Sequence, residues 1–407
     1  MIATVDIKNG ANALLSKIST KKDTKEQSTT VTEIPSSPSH ASSSDIEAEK
    51  EDEKGSKRFW LQKKKLAIAG ALLALVVIIG LAVGLGVGLT RPKKTASGSN
   101  GNDKSDDGDN GSKGVNASTV AVYWGAKGDN TTLSSVCSDP SYDIVNLAFL
   151  THFNRNGVYP RLSLSVLIGP SDAQTKAGAI SLQDGTSLIP AIKKCQENGK
   201  LVLISMGGAR DYADVRLSSD SQGEDTAEMI WNLFLGGTKN PELRPFGNAT
   251  LDGVDFDNES DQSTGYMAMT KTFRSKFEND TSKKYYLTAA PQCPFPDDSA
   301  IIKVYQQLDY VWVQYYNNDV CNIARSGFNA AVKRWSKAIG NAKLVIGALA
   351  SDADGDEGYV DHATFNKSIA EVQNMNLPNF GGAMLWDAQL ASQNGDYQKN
   401  LKAMLKN

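Results

Sequence analysis

Eight short apolar runs, each closed by polar or glycine-containing sequence, set the strongest limit on what this 407-residue chain can fold into. They are TVAVYWG (119–125), YDIVNLAFL (142–150), KLVLISMGG (200–208), LDGVDFDNE (251–259), KYYLTAAPQ (284–292), LDYVWVQYYNN (308–318), AKLVIGALA (342–350) and FGGAMLWDAQ (380–389). Several of the intervals carry LIPAIKKCQEN, TAEMIWNLFLG, AMTKTFRSKFEN and NAAVKRWSKAIG, in which apolar residues recur every three or four positions, as on one face of a helix. Buried strands alternating with helical crossovers predict an α/β fold of the (β/α)8 TIM-barrel type. A doubly wound sheet is the alternative, but no phosphate-binding glycine loop follows the first strand.

The barrel is expected over residues 118–407, and what precedes it has a different composition. Residues 1–65 are rich in Ser, Thr, Lys and Glu and have almost no aromatic residue before Phe59 and Trp60, so they are expected to be a disordered tail. LAIAGALLALVVIIGLAVGLGVGLT (66–90) has no charged residue and is long enough to cross a bilayer with some tilt. It lies too far from Met1 for an ordinary signal peptide and reads as an uncleaved anchor. Lys57, Arg58, Lys63, Lys64 and Lys65 precede it against Arg91, Lys93 and Lys94 after it, which favours a cytoplasmic N-terminus and a type II single-pass topology. Gly80, Gly84 and Gly88 give GxxxG spacings that suit helix dimerisation, while the barrel is expected to be monomeric. Residues 91–117 form a flexible Gly, Ser, Asn and Asp linker. Glycosylation sequons at Asn110, Asn116, Asn130, Asn248, Asn258, Asn279 and Asn366 all follow the span, as do Cys137, Cys195, Cys293 and Cys321. An even number of cysteines there suits two disulfides in an oxidising compartment, with three pairings open. The net charge of −3 gives no reason to expect nucleic acid as a partner.

The run LDGVDFDNES places carboxylates in an otherwise core-like strand. Side chains alternate faces, so Asp255, Asp257 and Glu259 share one face, roughly 6–7 Å from neighbour to neighbour, while Val254 and Phe256 share the other. Ionising all three in a partly dry site is costly, so at least one pKa is expected to rise. Asp252 has the opposite parity and is expected to be structural. In a TIM barrel the site lies at the C-terminal strand ends. That rule gathers Tyr123, Trp124, Phe149, Gly207, Gly208, Gln314, Tyr315, Tyr316 and Trp386 around the acids. Flat aromatic faces for sugar rings beside a proton donor for the glycosidic oxygen are what a sugar-cleaving cleft requires. The acidic loop SDADGDEG (351–358) departs from the calcium-binding pattern at Glu357 and reads as solvated. His40, His152 and His362 are too scattered for a metal site, and no metal or cofactor is expected.

D-G-V-D-F-D-N-E fits the DxxDxDxE signature of glycoside hydrolase family 18, and S-M-G-G (205–208) fits that family's second motif. AVYWG, NLAFL, LTAAPQCPFPD, YVWVQYYNN and GGAMLW resemble, in order, the class III chitinases of the hevamine type, over nearly all of residues 119–390. The resemblance implies an endo-acting chitinase that cleaves β-1,4-linked N-acetylglucosamine polymers with retention, the substrate's own acetamido oxygen acting as nucleophile. It implies Glu259 as general acid and then base, Asp257 as the group that holds the acetamido N–H, Asp255 as its proton-sharing neighbour and Tyr316 as a donor to the acetamido carbonyl. It places Tyr123, Phe149, Gly208, Gln314 and Trp386 on substrate, and pairs Cys137 with Cys195 and Cys293 with Cys321. Ala126 and Lys127 depart from the polar pair usual after YWG, and Asn258 replaces an apolar residue. Two other readings share the fold or the motif: an inactive carbohydrate-binding or glycosidase-inhibiting barrel, and an endo-β-N-acetylglucosaminidase acting on N-glycans.

Overall fold

The computed structural model describes residues 117–406, apart from 129, 156–158, 261 and 354. The expected tail, the span at 66–90 and the linker up to residue 116 lie outside the described residues, among which no helix is long and apolar enough to cross a membrane. Nine strands are described: β1 Thr119–Trp124, β2 Ile144–Arg155, β3 Tyr159–Leu162, β4 Leu201–Gly208, β5 Gly253–Asn258, β6 Tyr286–Ala289, β7 Tyr310–Gln314, β8 Lys343–Leu349 and β9 Phe380–Trp386. Eight of them correspond to the eight apolar runs. They pair in the order β1-β9-β8-β7-β6-β5-β4-β2, always in parallel, and β1 also pairs with β2, so the sheet closes on itself. The extra strand, β3, is antiparallel to β2 and forms a hairpin on the barrel rim. Counting apolar runs misses it because β2 continues past Leu150 as the mostly polar THFNR and β3 is only the four residues YPRL, too short to show a period.

The four helical runs fold as Ile189–Glu197, Asp220–Phe234, Tyr266–Asn279 and Phe328–Ala338. In Asp220–Phe234 the buried Ala227, Ile230, Trp231 and Phe234 recur at one helical face, and Ser219 caps the first turn by accepting from the Gln222 N–H. Strand parity divides the core in two. Val120, Val122, Val254 and Phe256 face the helices, whereas Ala121, Tyr123, Ala148, Phe149, Tyr286, Tyr310 and Trp312 fill the barrel.

Both disulfides form as the resemblance implies. Cys137–Cys195 ties helix Leu133–Ser138 to helix Ile189–Glu197, and Cys293–Cys321 ties the segments that follow β6 and β7. Each such bridge contributes about 2–4 kcal/mol, chiefly by restricting the unfolded chain. The second stands beside two residues of the site described next, Gln292 and Asn318.

Candidate active site

Register across three neighbouring strands builds the floor of the site. Ser205 of β4 lies beside Asp255 of β5, which lies beside Thr288 of β6. Both hydroxyls reach the Asp255 carboxylate at 2.7 Å, and the Tyr123 hydroxyl reaches it at 2.8 Å from β1. The direction of that last bond is fixed by chemistry. Trp312 Nε1 can only donate, and it donates to the Tyr123 oxygen at 3.0 Å, so the tyrosine proton points to Asp255. Three hydroxyl donors, each contributing roughly 1.5–3 kcal/mol to a charged acceptor, offset much of the cost of burying a carboxylate. Burial still dominates and holds the Asp255 carboxyl above its usual range.

Asp257 is held by less. Its Oδ1 accepts from Gln314 Nε2 at 3.0 Å. Burial, the Glu259 charge and then the Asp255 charge push its carboxyl well above the ordinary value, so ionising the whole stack at once is costly. Glu259 follows the end of β5 and is also raised by burial, against the opposing pull of two amide donors. Gln292 Nε2 donates to its Oε2 at 2.9 Å and Gln314 Nε2 lies 3.3 Å from its Oε1. Asn318 in turn donates to Gln292 at 2.8 Å, so the segments joined by Cys293–Cys321 orient the carboxylate.

The sequence Ser-Met-Gly-Gly is explained by the same register. Gly207 lies beside Asp257, and a Cβ there would stand 1.9 Å from the Asp257 carbonyl oxygen, at a φ of +127°. At Gly208, with φ +102°, a Cβ would press on the Phe149 ring.

Above the acids is a cavity of about 490 Å³ lined by Tyr123, Phe149, Asp257, Glu259, Gln314, Tyr316 and Trp386, among others. Phe149 and Trp386 stack with centroids 5.8 Å apart and an interplanar angle of 19°, and Tyr123 tilts against both. The Tyr316 phenol is held protonated by its burial and by the nearby Asp257 and Glu259 charges. Gly208 is placed differently: it lines a smaller neighbouring cavity of about 330 Å³ with Arg210 and Glu259. Two strand-end aromatics grouped with the acids from sequence turn away. Trp124 faces the helices and donates to the Thr131 carbonyl, and Tyr315 packs edge-on against Phe328. Their parity is opposite to that of Tyr123 and Gln314, which decides the matter.

The strand carrying the acids and the cavity above them form the arrangement a sugar-cleaving cleft needs. The model of "Glycosyl hydrolases family 18" matches residues 119–351. The chain belongs to glycosyl hydrolase family 18. It is 62% identical over 287 residues to Endochitinase 3 of Metarhizium robertsii, covering 70% of this chain and 90% of that relative. Among solved structures it is similar to the ICChI chitinase of Ipomoea carnea, with 28% identity, a TM-score of 0.58 and coverage of 70% and 99%. It is equally similar to a xylanase and alpha-amylase inhibitor protein, XAIP-II of Scadoxus multiflorus, with 30% identity, a TM-score of 0.59 and coverage of 70% and 98%.

This family 18 chain also brings to the cavity residues that sequence reasoning did not place there. Ser163, Ser165, Tyr212, Asn317 and Asp356 line it together with Lys127, whose ammonium lies 5.6 Å from the Trp386 ring centroid. Asp356 belongs to the acidic loop expected to be merely solvated. Asn317 latches that loop to the rim, accepting from the Glu357 N–H at 2.8 Å and donating to Asp356 at 3.1 Å. The signal available was position: the loop follows β8, at the functional end of the barrel. Asp252 has the structural place expected of it, with Oδ2 accepting from the Val202 N–H and Gln196, and Oδ1 paired with Lys283.

Asn258 stands apart from the other sequons of the described barrel. It is 3% exposed, donates from Nδ2 to the Gln262 carbonyl at 2.9 Å and accepts from Ser260 through Oδ1. A glycan there has no room between Asp257 and Glu259. Peptide mass spectrometry of active protein made in a glycosylating host is expected to find Asn258 unmodified. Full occupancy in active molecules would overturn this placement of β5.

Proposed function

We propose that this chain is an endo-acting chitinase that cleaves β-1,4-linked N-acetylglucosamine polymers with retention, by substrate-assisted catalysis. The single observation that carries the reading is the complete acid stack, Asp255–Asp257–Glu259, opening into a cavity floored by Tyr123, Phe149 and Trp386. Glu259, whose carboxyl burial raises above its usual range, protonates the departing glycosidic oxygen and afterwards takes a proton from the incoming water. The acetamido oxygen attacks the anomeric carbon, so no enzyme carboxylate needs to. Asp257 receives the acetamido N–H and balances the positive charge of the oxazolinium ion. Tyr316 donates to the acetamido oxygen, which becomes part of that ring. Asp255 is a positioning residue: anchored by three hydroxyls, it is the fixed neighbour against which the Asp257 proton is set. Gln314 bridges Asp257 and Glu259, the aromatic floor supports the sugar faces, and Gly208 keeps the backbone thin beside Phe149.

The inhibitor relative on the same barrel means that the fold alone does not decide for an enzyme; the acids do. Incubation with chito-oligosaccharides decides between the readings. Release of shorter oligomers that stops in a Glu259→Gln control supports hydrolysis here, whereas binding without cleavage would favour the inhibitor or lectin-like alternative.

The same proposal sets the barrel, residues 118–407, on the lumenal or extracellular side of a membrane crossed by residues 66–90. The uncharged span, the sequons confined to the sequence after it and the bonding of all four cysteines support this orientation. Protease added to sealed microsomes is expected to trim residues 1–65 and spare the barrel. Digestion of the barrel would reverse the topology.

A further inference from the structure

Glu259 lies one residue beyond β5, past the ladders that hold the strand. The pairing of β4 with β5 ends at Gly208 and Asn258, and that of β5 with β6 ends at Phe256 and Ala289. Gln292 and Gln314 orient the Glu259 carboxyl, but bonds to the far end of a flexible side chain do not fix the backbone beneath it. Arg210 supplies that hold. It stands in the loop after β4, two residues past the glycine pair. Its Nε donates to the Glu259 carbonyl oxygen at 3.1 Å, and its Nη2 donates to the same oxygen at 2.5 Å. The N–H groups along one edge of a guanidinium are rigidly spaced, so two can converge on one acceptor, whereas a lysine ammonium has no such fork. The turn it grips is itself stapled. Asn258 Oδ1 accepts from the Ser260 N–H at 3.2 Å and from its hydroxyl at 2.6 Å, and Asn258 Nδ2 donates to the Gln262 carbonyl. Arg210, Asn258, Glu259 and Ser260 together line the cavity of about 330 Å³ beside the site.

We propose that Arg210 is a positioning residue for the general acid, gripping the main chain of Glu259 so that its carboxyl stays over the scissile bond in the hydrolysis proposed above. The acid is then held at both ends, its carbonyl by Arg210 and its carboxyl by two amides. Rates fall steeply when a reacting group is displaced by about 1 Å, so the grip acts on turnover more than on binding. It also places a cation beside the acid. Burial raises the Glu259 carboxyl, the Gln314 and Gln292 amides and then the Arg210 charge draw it back, and Asp356, from the loop after β8, pushes it up. Among the described residues, the other titratable groups that face it are Asp257, with Asp255 behind, and the Tyr316 phenol. An acid that must be protonated to act loses activity as pH rises through its pKa. Loss of the Arg210 charge therefore moves the alkaline limb of kcat upward, and loss of the Asp356 charge moves it downward.

The test measures kcat, KM and pH profile of the full chain on chito-oligosaccharides, beside oligosaccharide binding and thermal unfolding. Arg210→Ala is expected to lower kcat by about 10–100-fold, with KM changed by less than about threefold. The fold is expected to be retained, since the Arg210 side chain is exposed. Its alkaline limb is expected roughly half a pH unit higher, and that of Asp356→Asn a similar amount lower. Arg210→Lys keeps the cation but not the fork, so the limb is expected to stay in place while kcat remains depressed. Guanidinium ion at millimolar concentration is expected to restore part of the turnover of Arg210→Ala and none of that of Glu259→Gln. Wild-type kcat in Arg210→Ala, or a loss expressed wholly in KM, would overturn the positioning role while leaving the hydrolase reading intact. A depressed kcat with the limb unmoved and no rescue by guanidinium would reduce Arg210 to a structural residue and overturn it too. Absence of hydrolysis by the wild type would remove the activity itself, and this inference with it.

Discussion

Glu259→Gln is expected to lower kcat on chito-oligosaccharides by a factor of about 10³ or more, because it removes the proton donor and changes the size of the side chain hardly at all. The fold has little reason to respond. Glu259 is oriented by two amide donors, Gln292 and Gln314, one on each carboxylate oxygen. A glutamine offers one acceptor oxygen and one NH2, so one of those donors must turn away. That costs roughly 1–3 kcal/mol. A modest fall in melting temperature is therefore expected, with oligosaccharide binding retained. The wild-type pH profile provides an independent check. Burial raises the Glu259 and Asp257 carboxyls together, so they titrate as a group. A group that must be protonated to act loses activity as pH rises through its folded-state pKa. The alkaline limb of kcat is expected above the ordinary carboxylate range, and it belongs to the pair. Turnover near the wild-type level in a folded Glu259→Gln protein would remove Glu259 from its role.

The second large effect is selectivity. Chains of β-1,4-linked N-acetylglucosamine are expected to be cleaved, and the corresponding glucose chains left essentially untouched. A glucose unit carries only a 2-hydroxyl and cannot close the oxazolinium ring. No carboxylate is assigned to attack in its place: Asp255 is occupied by three hydroxyl donors, and Asp257 is held by Gln314 and assigned to the acetamido N–H. Because water enters from the face the acetamido oxygen first took, the initial product is expected to be the β-anomer. Stable oxazoline mimics are expected to bind tightly, since Asp257 and Tyr316 suit the intermediate better than the substrate. Proton NMR of fresh product reads the anomer directly. An initial α-anomer, or efficient cleavage of cello-oligosaccharides, would falsify substrate assistance.

By itself the sequence determined the eight barrel strands, their alternation with helices and the shared face of Asp255, Asp257 and Glu259. All three follow from local periodicity, which a single chain displays without its partners. Strand ends also indicated Tyr123, Phe149, Gln314, Tyr316 and Trp386, since a closed parallel barrel directs one end of every strand to one rim. Only the tertiary structure decided what depends on neighbours distant in sequence. Register set Ser205 and Thr288 beside Asp255 and Gly207 beside Asp257. Inside a closed barrel, Trp312 could reach across to Tyr123 and fix the direction of its proton. The outward turn of Trp124 and Tyr315, by contrast, was legible in strand parity, which the rule of strand ends alone passes over. The acidic loop after β8 read as solvent-facing because its composition is polar, yet Asn317 latches it to the rim so that Asp356 lines the cavity. Composition reports what a segment can bury, whereas the contacts made by its few polar atoms are fixed only when the barrel closes around them.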